Sequence, residues 1–518
     1  MKARYPLSTL LLVLLASPHC AVAQTGPQVG SETSRTPTLA PTQWKLAAFP
    51  SRSATPLRYR ELSISRLLDV QRHNTVQRIK ATQIGVGRGL TGEGVDRTTP
   101  VLRWIPLKTG GAVARLQVTS PDALGLRVGL QLQGLHPHVE LRFGGSDAPS
   151  QAVATVNASE AQQLVDAQGI YWTPGTDGAT QIIEIYRPAH VKALQARLQA
   201  PKLSHLLTNS RNDFKLLKSL GDAGSCNIDV VCKVAEYGPA FVQAKNAVAH
   251  MTFVESDGKG YVCTGTLLND TVPSTQVPYF YTAAHCISSQ SVANTLNTYW
   301  AYENSTCGGA DGARRNPVVG GADLLYADED LDALLLRLKN PAPANATFAG
   351  WDASTLANSA DVIAIHHPQG DAKKVSRGQH VTDAYAELYT VAWLEGTTEG
   401  GSSGSGLFTR YRDNSLRLRG GLLGGDALCS NTGSTGNALN RDHYSRLDLV
   451  FPHIKQWIAS EPVRENSSQP LVRSAGAVAQ GQGSRTITPT ETMTRPTARP
   501  AIERPRTMTP TRHSLRER

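Results

Sequence analysis

The sequence predicts an all-β, loop-rich chain with one short helix at the end of its folded part. Three observations predict it. Leu126-Arg127-Val128-Gly129-Leu130-Gln131-Leu132 and Val139-Glu140-Leu141-Arg142-Phe143 alternate apolar and polar residues with period two, and Ile183-Glu184-Ile185 does the same, the pattern of half-buried strands. Tyr279-Phe280-Tyr281 and Ala333-Leu334-Leu335-Leu336-Arg337-Leu338 are nearly continuous apolar runs, too short for a helix and suited to strands buried on both faces. The composition adds turn formers: 45 Gly and 30 Pro in 518 residues, with 18% charged residues. Such a length is a soft prior for several units.

In chain order, residues 1–23 read as a secretory signal peptide. Lys2 and Arg4 form its positive end, Leu7 to Ala16 its apolar core, and Ala21-Val22-Ala23 its small-residue cleavage site. The apolar run is too short for a stable membrane span, so the expected destination is outside the cell. Of seven cysteines, Cys20 leaves with the signal, and Cys226, Cys232, Cys263, Cys286, Cys307 and Cys429 remain. An even number in an exported chain argues for disulfides and leaves every pairing open; the Cys-x5-Cys spacing does not suit a metal site. Residues 24–58 are polar, rich in Pro, Thr and Ser, and expected to be a poorly ordered leader. From about 59 to 209 the alternating strands lie in a cysteine-free, β-rich domain. The apolar residues Val450, Ile454, Trp457 and Ile458 share one helical face, with Pro452 expected in the first turn.

Glu399-Gly400-Gly401-Ser402-Ser403-Gly404-Ser405-Gly406 holds the candidate nucleophile, Ser403. Glycines on both sides let the backbone turn sharply and present the hydroxyl. The same turn can aim the N–H groups of Gly401 and Ser403 at one point as an oxyanion hole. A serine needs an adjacent base, and His285 in Thr282-Ala283-Ala284-His285-Cys286 follows a buried strand. Asp332, at the mouth of an apolar strand, can hold one imidazole nitrogen; Asp328 and Asp330 are rivals in an acidic run. The order His, Asp, Ser is that of the chymotrypsin-type triad.

Residues 226–460 resemble bacterial secreted trypsin-like proteases, most closely the lysyl endopeptidase family. The matching segments are Gly224 to Cys232, Cys263-Thr264-Gly265-Thr266-Leu267, Thr282 to Cys286, Asn304-Ser305-Thr306-Cys307, Ala364-Ile365-His366-His367-Pro368 and Thr398 to Ser405. The resemblance implies two packed antiparallel six-stranded β-barrels (chymotrypsin-like) with the site in the crevice between them. It implies the disulfides Cys226–Cys429, Cys232–Cys307 and Cys263–Cys286, the last closing a loop worth about 3 kcal/mol beside the histidine. It also implies Asp442, in Arg441-Asp442-His443-Tyr444, as the acid of the specificity pocket and Glu399 as a secondary acid. A desolvated carboxylate there prefers a cationic residue before the scissile bond. The chain departs from the family at Leu423, where relatives carry a histidine, and Trp393 is a doubtful counterpart of the tryptophan that stacks on it. His366 and His367, being adjacent, face opposite ways along a strand and read as structural.

These readings give a secreted serine endopeptidase that cuts after lysine, acts on proteins and peptides, needs no cofactor or metal, and works as a monomer without nucleic acid or membrane insertion. The expected organisation is signal 1–23, propeptide 24–218, protease domain 219–461 and a Pro/Thr/Arg-rich disordered tail 462–518. The net charge is +10, of which the tail, with ten Arg and four Glu, supplies +6. The propeptide is expected to assist folding and to block the site, and Lys218 is the candidate self-processing position. In trypsin a new ammonium terminus pairs with an acid just before the nucleophile; Ser402 stands there, so latency falls to the propeptide. Arginine or dual Lys/Arg preference, and a catalytically weak surface-binding homologue, are the other readings the sequence allows.

Overall fold

The computed structural model describes residues 26–38, 40–47, 54–76, 80–89, 100–132, 134–214, 222–272, 275–314, 317–383 and 385–459. Residues 1–23, expected to be a signal peptide, Lys218 and the expected disordered tail 462–518 lie outside the described residues. Among the described residues no helix is long and apolar enough to cross a membrane.

The fold is mostly β and contains two barrels. In the first, strands Asn297–Tyr299, Val248–Val254, Gly260–Leu268, Tyr279–Thr282, Ala333–Leu338 and Ala322–Asp328 follow one another as antiparallel neighbours. In the second, Leu416–Gly425, Gly406–Arg410, Asp361–His366, Lys374–Val381, Leu388–Glu395 and Asp442–Ser445 close on themselves, since the last pairs with the first. The continuous apolar runs are explained by burial on both faces. Phe280, Leu334 and Leu336 point into the first barrel, whereas Tyr281, Ala333 and Leu335 point into the seam between barrels. Val362, Ala364 and Leu407 fill the second barrel while Ile363, Ile365 and Phe408 meet the seam. Each fully buried large side chain contributes roughly 1.5–3 kcal/mol, so the seam is held as firmly as either core.

Helix Leu447–Ile458 packs into the seam between the barrels, with Leu447, Val450, Ile454 and Ile458 buried. It begins earlier than expected, so Pro452 falls beyond the first turn and leaves the carbonyl of Asp448 without its helical donor.

Ahead of the barrels, two sheets form a sandwich. One contains Ala112–Thr119, Glu140–Gly145, Ala154–Asn157 and Thr180–Arg187; the other contains Gly85–Gly89, Gly125–Gln131, Ile170–Trp172 and Gln199–Leu206. Leu126, Val128 and Leu130 face the sandwich core with Leu141, Phe143, Ile183 and Ile185. The alternation then turns Arg127 toward the first barrel, where its guanidinium donates to the Thr295 carbonyl at 2.6 Å. Ile170 and Trp172 pack on Val254 at the same junction.

Further features differ from the sequence reading, among them helices Val230–Tyr237 and Pro239–Ala247 where one terminal helix was expected. Part of the polar leader is structured: Gln28–Val29 pairs with Trp351–Asp352, and Glu32–Thr33 with Thr347–Phe348. Two-residue strands are too short to show periodicity, and their partners supply the order. A helix, Ile64–Val76, also precedes the sandwich; it turns Val70 toward Ile84 and Val86.

Candidate active site

The crevice brings the three triad candidates together. His285 Nε2 lies 2.7 Å from Ser403 Oγ, and His285 Nδ1 lies 2.8 Å from Asp332 Oδ2. The second oxygen of Asp332 accepts the His285 backbone N–H at 2.9 Å, which holds the carboxylate at a second point. Asp332 adopts φ +50° at the strand mouth and is buried. Its rival Asp328 instead accepts the N–H groups of Asp330 and Leu331 and the Tyr326 hydroxyl. The disulfides are Cys226–Cys429, Cys232–Cys307 and Cys263–Cys286. The last ties the strand facing Ser403 to the residue after His285.

The nucleophile loop is gripped from the first barrel. Thr264 donates its N–H to the Ser403 carbonyl at 2.8 Å and its hydroxyl to the Gly401 carbonyl at 2.9 Å. The Gly400 carbonyl, anti to the Gly401 N–H in the same peptide unit, accepts from Gln369 N, and the N–H groups of Gly401 and Ser403 face the crevice. Gly401 has φ +87°, and an added Cβ would sit 2.7 Å from the His367 carbonyl oxygen, so glycine is required there.

The crevice is occupied by a residue from the sandwich side of the chain. The carbonyl of Lys80 accepts from Gly401 N at 2.5 Å and Ser403 N at 3.3 Å. Its ammonium enters a buried pocket and meets Asp442 Oδ1 at 2.6 Å, Thr398 Oγ1 at 2.7 Å, Thr398 O at 2.9 Å and Ala427 O at 3.2 Å. Asp442 is fully buried. Its Oδ2 accepts from Trp393 Nε1 at 2.6 Å and Thr398 Oγ1 at 2.7 Å. Trp393 thus orients the pocket acid rather than stacking on a histidine. Glu399 lies elsewhere: its carboxylate accepts the Gly224 N–H at 3.2 and 3.0 Å, and burial raises its pKa. Leu423 is half-buried on the strand that ends beside Asp442.

Behind the nucleophile, Ser402 meets a neutral imidazole in place of a charged pair. Ser376 donates its one hydroxyl proton to Thr397 O at 2.7 Å, so it accepts from His366 Nε2 at 3.1 Å. His366 Nδ1 is then bare and accepts from Ser402 Oγ at 2.8 Å. Burial, with Lys80 and Lys374 nearby, takes the His366 pKa down to about 3 from 6.5. His367 faces the other way, stacked on Tyr302, and burial lowers its pKa and that of His250 as well. The sign follows: the unfolded chain binds protons that these folded rings refuse, so stability is complete above about pH 6.5 and falls as pH drops toward 3. His366 accounts for about 1.4 kcal/mol per pH unit in that window. Denaturant titrations of the Ser403→Ala chain between these limits check it, with His366→Gln expected to give a shallower dependence.

Among the described residues two clusters could offer three metal-ligating atoms. Cys263, His285 and Cys286 are accounted for by the disulfide and the triad contact, and His136, His138 and His190 lie on the sandwich.

The lysyl endopeptidase C-terminal domain family matches residues 220–445, and the lysyl endopeptidase N-terminal domain family matches residues 58–207. A lysyl endopeptidase of Pseudomonas aeruginosa is 37% identical over 392 residues, 73% of this chain and 81% of that protein. Among solved structures, a protease from M. tuberculosis in its active form aligns with TM-score 0.29 and 16% identity, over 50% of this chain and 96% of its own. The serine endoprotease from Yersinia pestis aligns with TM-score 0.29 and 15% identity, over 43% of this chain and 66% of its own.

Proposed function

From the premise that this chain belongs to the lysyl endopeptidase family and is a serine endopeptidase, we propose that it cuts after lysine by way of Ser403, His285 and Asp332, and that it is exported as a precursor. The observation that carries the specificity is the Asp442 pocket, in which a lysine ammonium makes a direct 2.6 Å ion pair. Arginine is a poorer fit. A guanidinium is planar and favours two parallel bonds to one carboxylate, but Asp442 Oδ2 is already taken by Trp393 and Thr398. Thr398 and Ala427 carbonyls complete a shell of point acceptors suited to an ammonium.

In the proposed reaction His285 takes the Ser403 proton as the oxygen attacks the peptide carbonyl. Asp332 holds the imidazole tautomer and stabilises the imidazolium. The Gly401 and Ser403 N–H groups bind the oxyanion, each donor worth about 3 kcal/mol. His285 then protonates the leaving amine, and water resolves the acyl-enzyme. Export is supported by the signal-like N-terminus and by the three disulfides. The neutral Ser402–His366 contact supports latency imposed by the propeptide rather than by a new N-terminus. Maturation after Lys218 and monomeric action complete the proposal. The test is a matched pair of peptides differing only in Lys or Arg before the scissile bond, with Ser403→Ala as control. Cleavage after Lys by at least about tenfold over Arg is expected; equal rates would reject strict lysine preference, and no cleavage by the processed domain would reject the enzyme mechanism.

A further inference from the structure

We propose that Lys80–Ala81 is a reactive bond through which the N-terminal domain blocks the active site, and that the enzyme cuts this bond in its own precursor. The inference rests on the lysine-directed reading above and adds a second processing position, far from Lys218 in the chain.

Four observations place Lys80 as a substrate would place the residue before the scissile bond. Its ammonium pairs with Asp442, its carbonyl oxygen takes both oxyanion N–H groups, and the residues after it form an antiparallel strand on the first barrel. In that strand Thr82 is opposite Val262 and Gln83 opposite Tyr261, and Ile84 N donates to Gly260 O at 2.8 Å. The fourth is burial: the Lys80 side chain is 7% exposed, so the pair excludes water and any competing substrate.

The domain also holds the bond from both sides. Asn74, in the last turn of helix Ile64–Val76, donates to the Gln83 carbonyl at 2.9 Å and accepts the Gln83 N–H at 2.9 Å. Beyond Gln83 the chain runs directly into Gly85–Gly89, a strand of the sandwich paired with Lys202–Leu206. The residues before and after Lys80–Ala81 therefore belong to one body. Ser403 Oγ attacks the Lys80 carbonyl carbon and its proton passes to His285. The C–N bond then breaks and His285 delivers the proton to the Ala81 nitrogen, leaving a Lys80–Ser403 ester. The freed Ala81 amine stays against the ester because Thr82 and Gln83 remain paired to the barrel. It either attacks back and restores the peptide or gives way to water, which yields the Lys80 carboxylate. This makes the domain a slow substrate and hence an inhibitor.

The full-length chain tests this. A time course of the wild-type precursor, followed by mass spectrometry, is expected to yield a new N-terminus Ala81-Thr82-Gln83. Lys80→Gln abolishes that terminus and raises the rate at which a serine-directed fluorophosphonate labels the uncut precursor by at least about tenfold. Absence of the Ala81 terminus in a chain whose mature form hydrolyses lysyl peptides overturns the proposal, as does equal labelling of the two precursors. A mature form without lysyl hydrolysis would instead fail the functional reading on which it rests. A second measurement avoids any change at Lys80. In the Ser403→Ala chain, an amine-acetylating reagent should modify the exposed Lys108 and Lys192 at least about tenfold faster than Lys80. Equal modification overturns the seating of Lys80.

Discussion

Ser403→Ala is expected to lower kcat on a lysyl peptide by about 10⁶. The size of the loss follows from how the triad acts as a unit. His285 Nε2 is 2.7 Å from the Ser403 hydroxyl, and without that oxygen the base has no proton to take. The Gly401 and Ser403 N–H groups remain, so residual hydrolysis by water with oxyanion stabilisation persists at about 10³–10⁴ over the uncatalysed rate. His285→Ala should cost about as much, and the double variant little more, because each single change already disables the same step. Asp332→Asn should cost about 10⁴: the ring stays in place through the wrong tautomer and loses the carboxylate that stabilises its charged form. Single-turnover kinetics on the four chains separate these cases. Additive losses in the double variant would mean that serine and histidine do not share one proton transfer.

The proposed triad was legible in the sequence because the chemistry asked of it constrains the local chain. Ser403 needs flanking glycines to turn, His285 ends a buried strand, and Asp332 opens one. The alternation that revealed the sandwich strands also foretold which faces meet the core, as Leu126, Val128 and Leu130 show. Asp442 came only from resemblance; nothing in Arg441-Asp442-His443 separates a pocket acid from a solvated loop residue. Lys80 carried no signal at all. Its role depends on Asp442, 362 positions away, and a single lysine in a polar stretch has no pattern. The strands at Gln28–Val29 and Glu32–Thr33 were missed for a related reason: their order comes from partners more than 300 residues distant. Trp393 entered only as a doubtful counterpart of a stacking tryptophan, because the direction of its indole N–H is a tertiary fact.

Asp442→Asn tests the pocket more severely than simple loss of charge suggests. Asp442 Oδ2 accepts two protons, from Trp393 Nε1 and Thr398 Oγ1. An asparagine must put its oxygen there to satisfy both donors, and its NH₂ group then faces the substrate ammonium at the place where Oδ1 now pairs with it at 2.6 Å. The substrate meets a donor where it needs an acceptor. Breaking a buried pair by changing one partner costs about 3–5 kcal/mol, so kcat/KM for lysyl peptides should fall by about 10²–10⁴. A substrate with norleucine in place of lysine carries no charge and should lose far less, which collapses the preference between the two. Trp393→Phe removes one donor while keeping most of the ring's bulk, so it should cost the lysyl substrate about 10-fold to 100-fold. If the tryptophan acts only by holding Asp442, combining both changes will give less than the sum of their separate effects, because the indole N–H then has no carboxylate left to orient. Additive losses would mean that Trp393 shapes the pocket by packing alone.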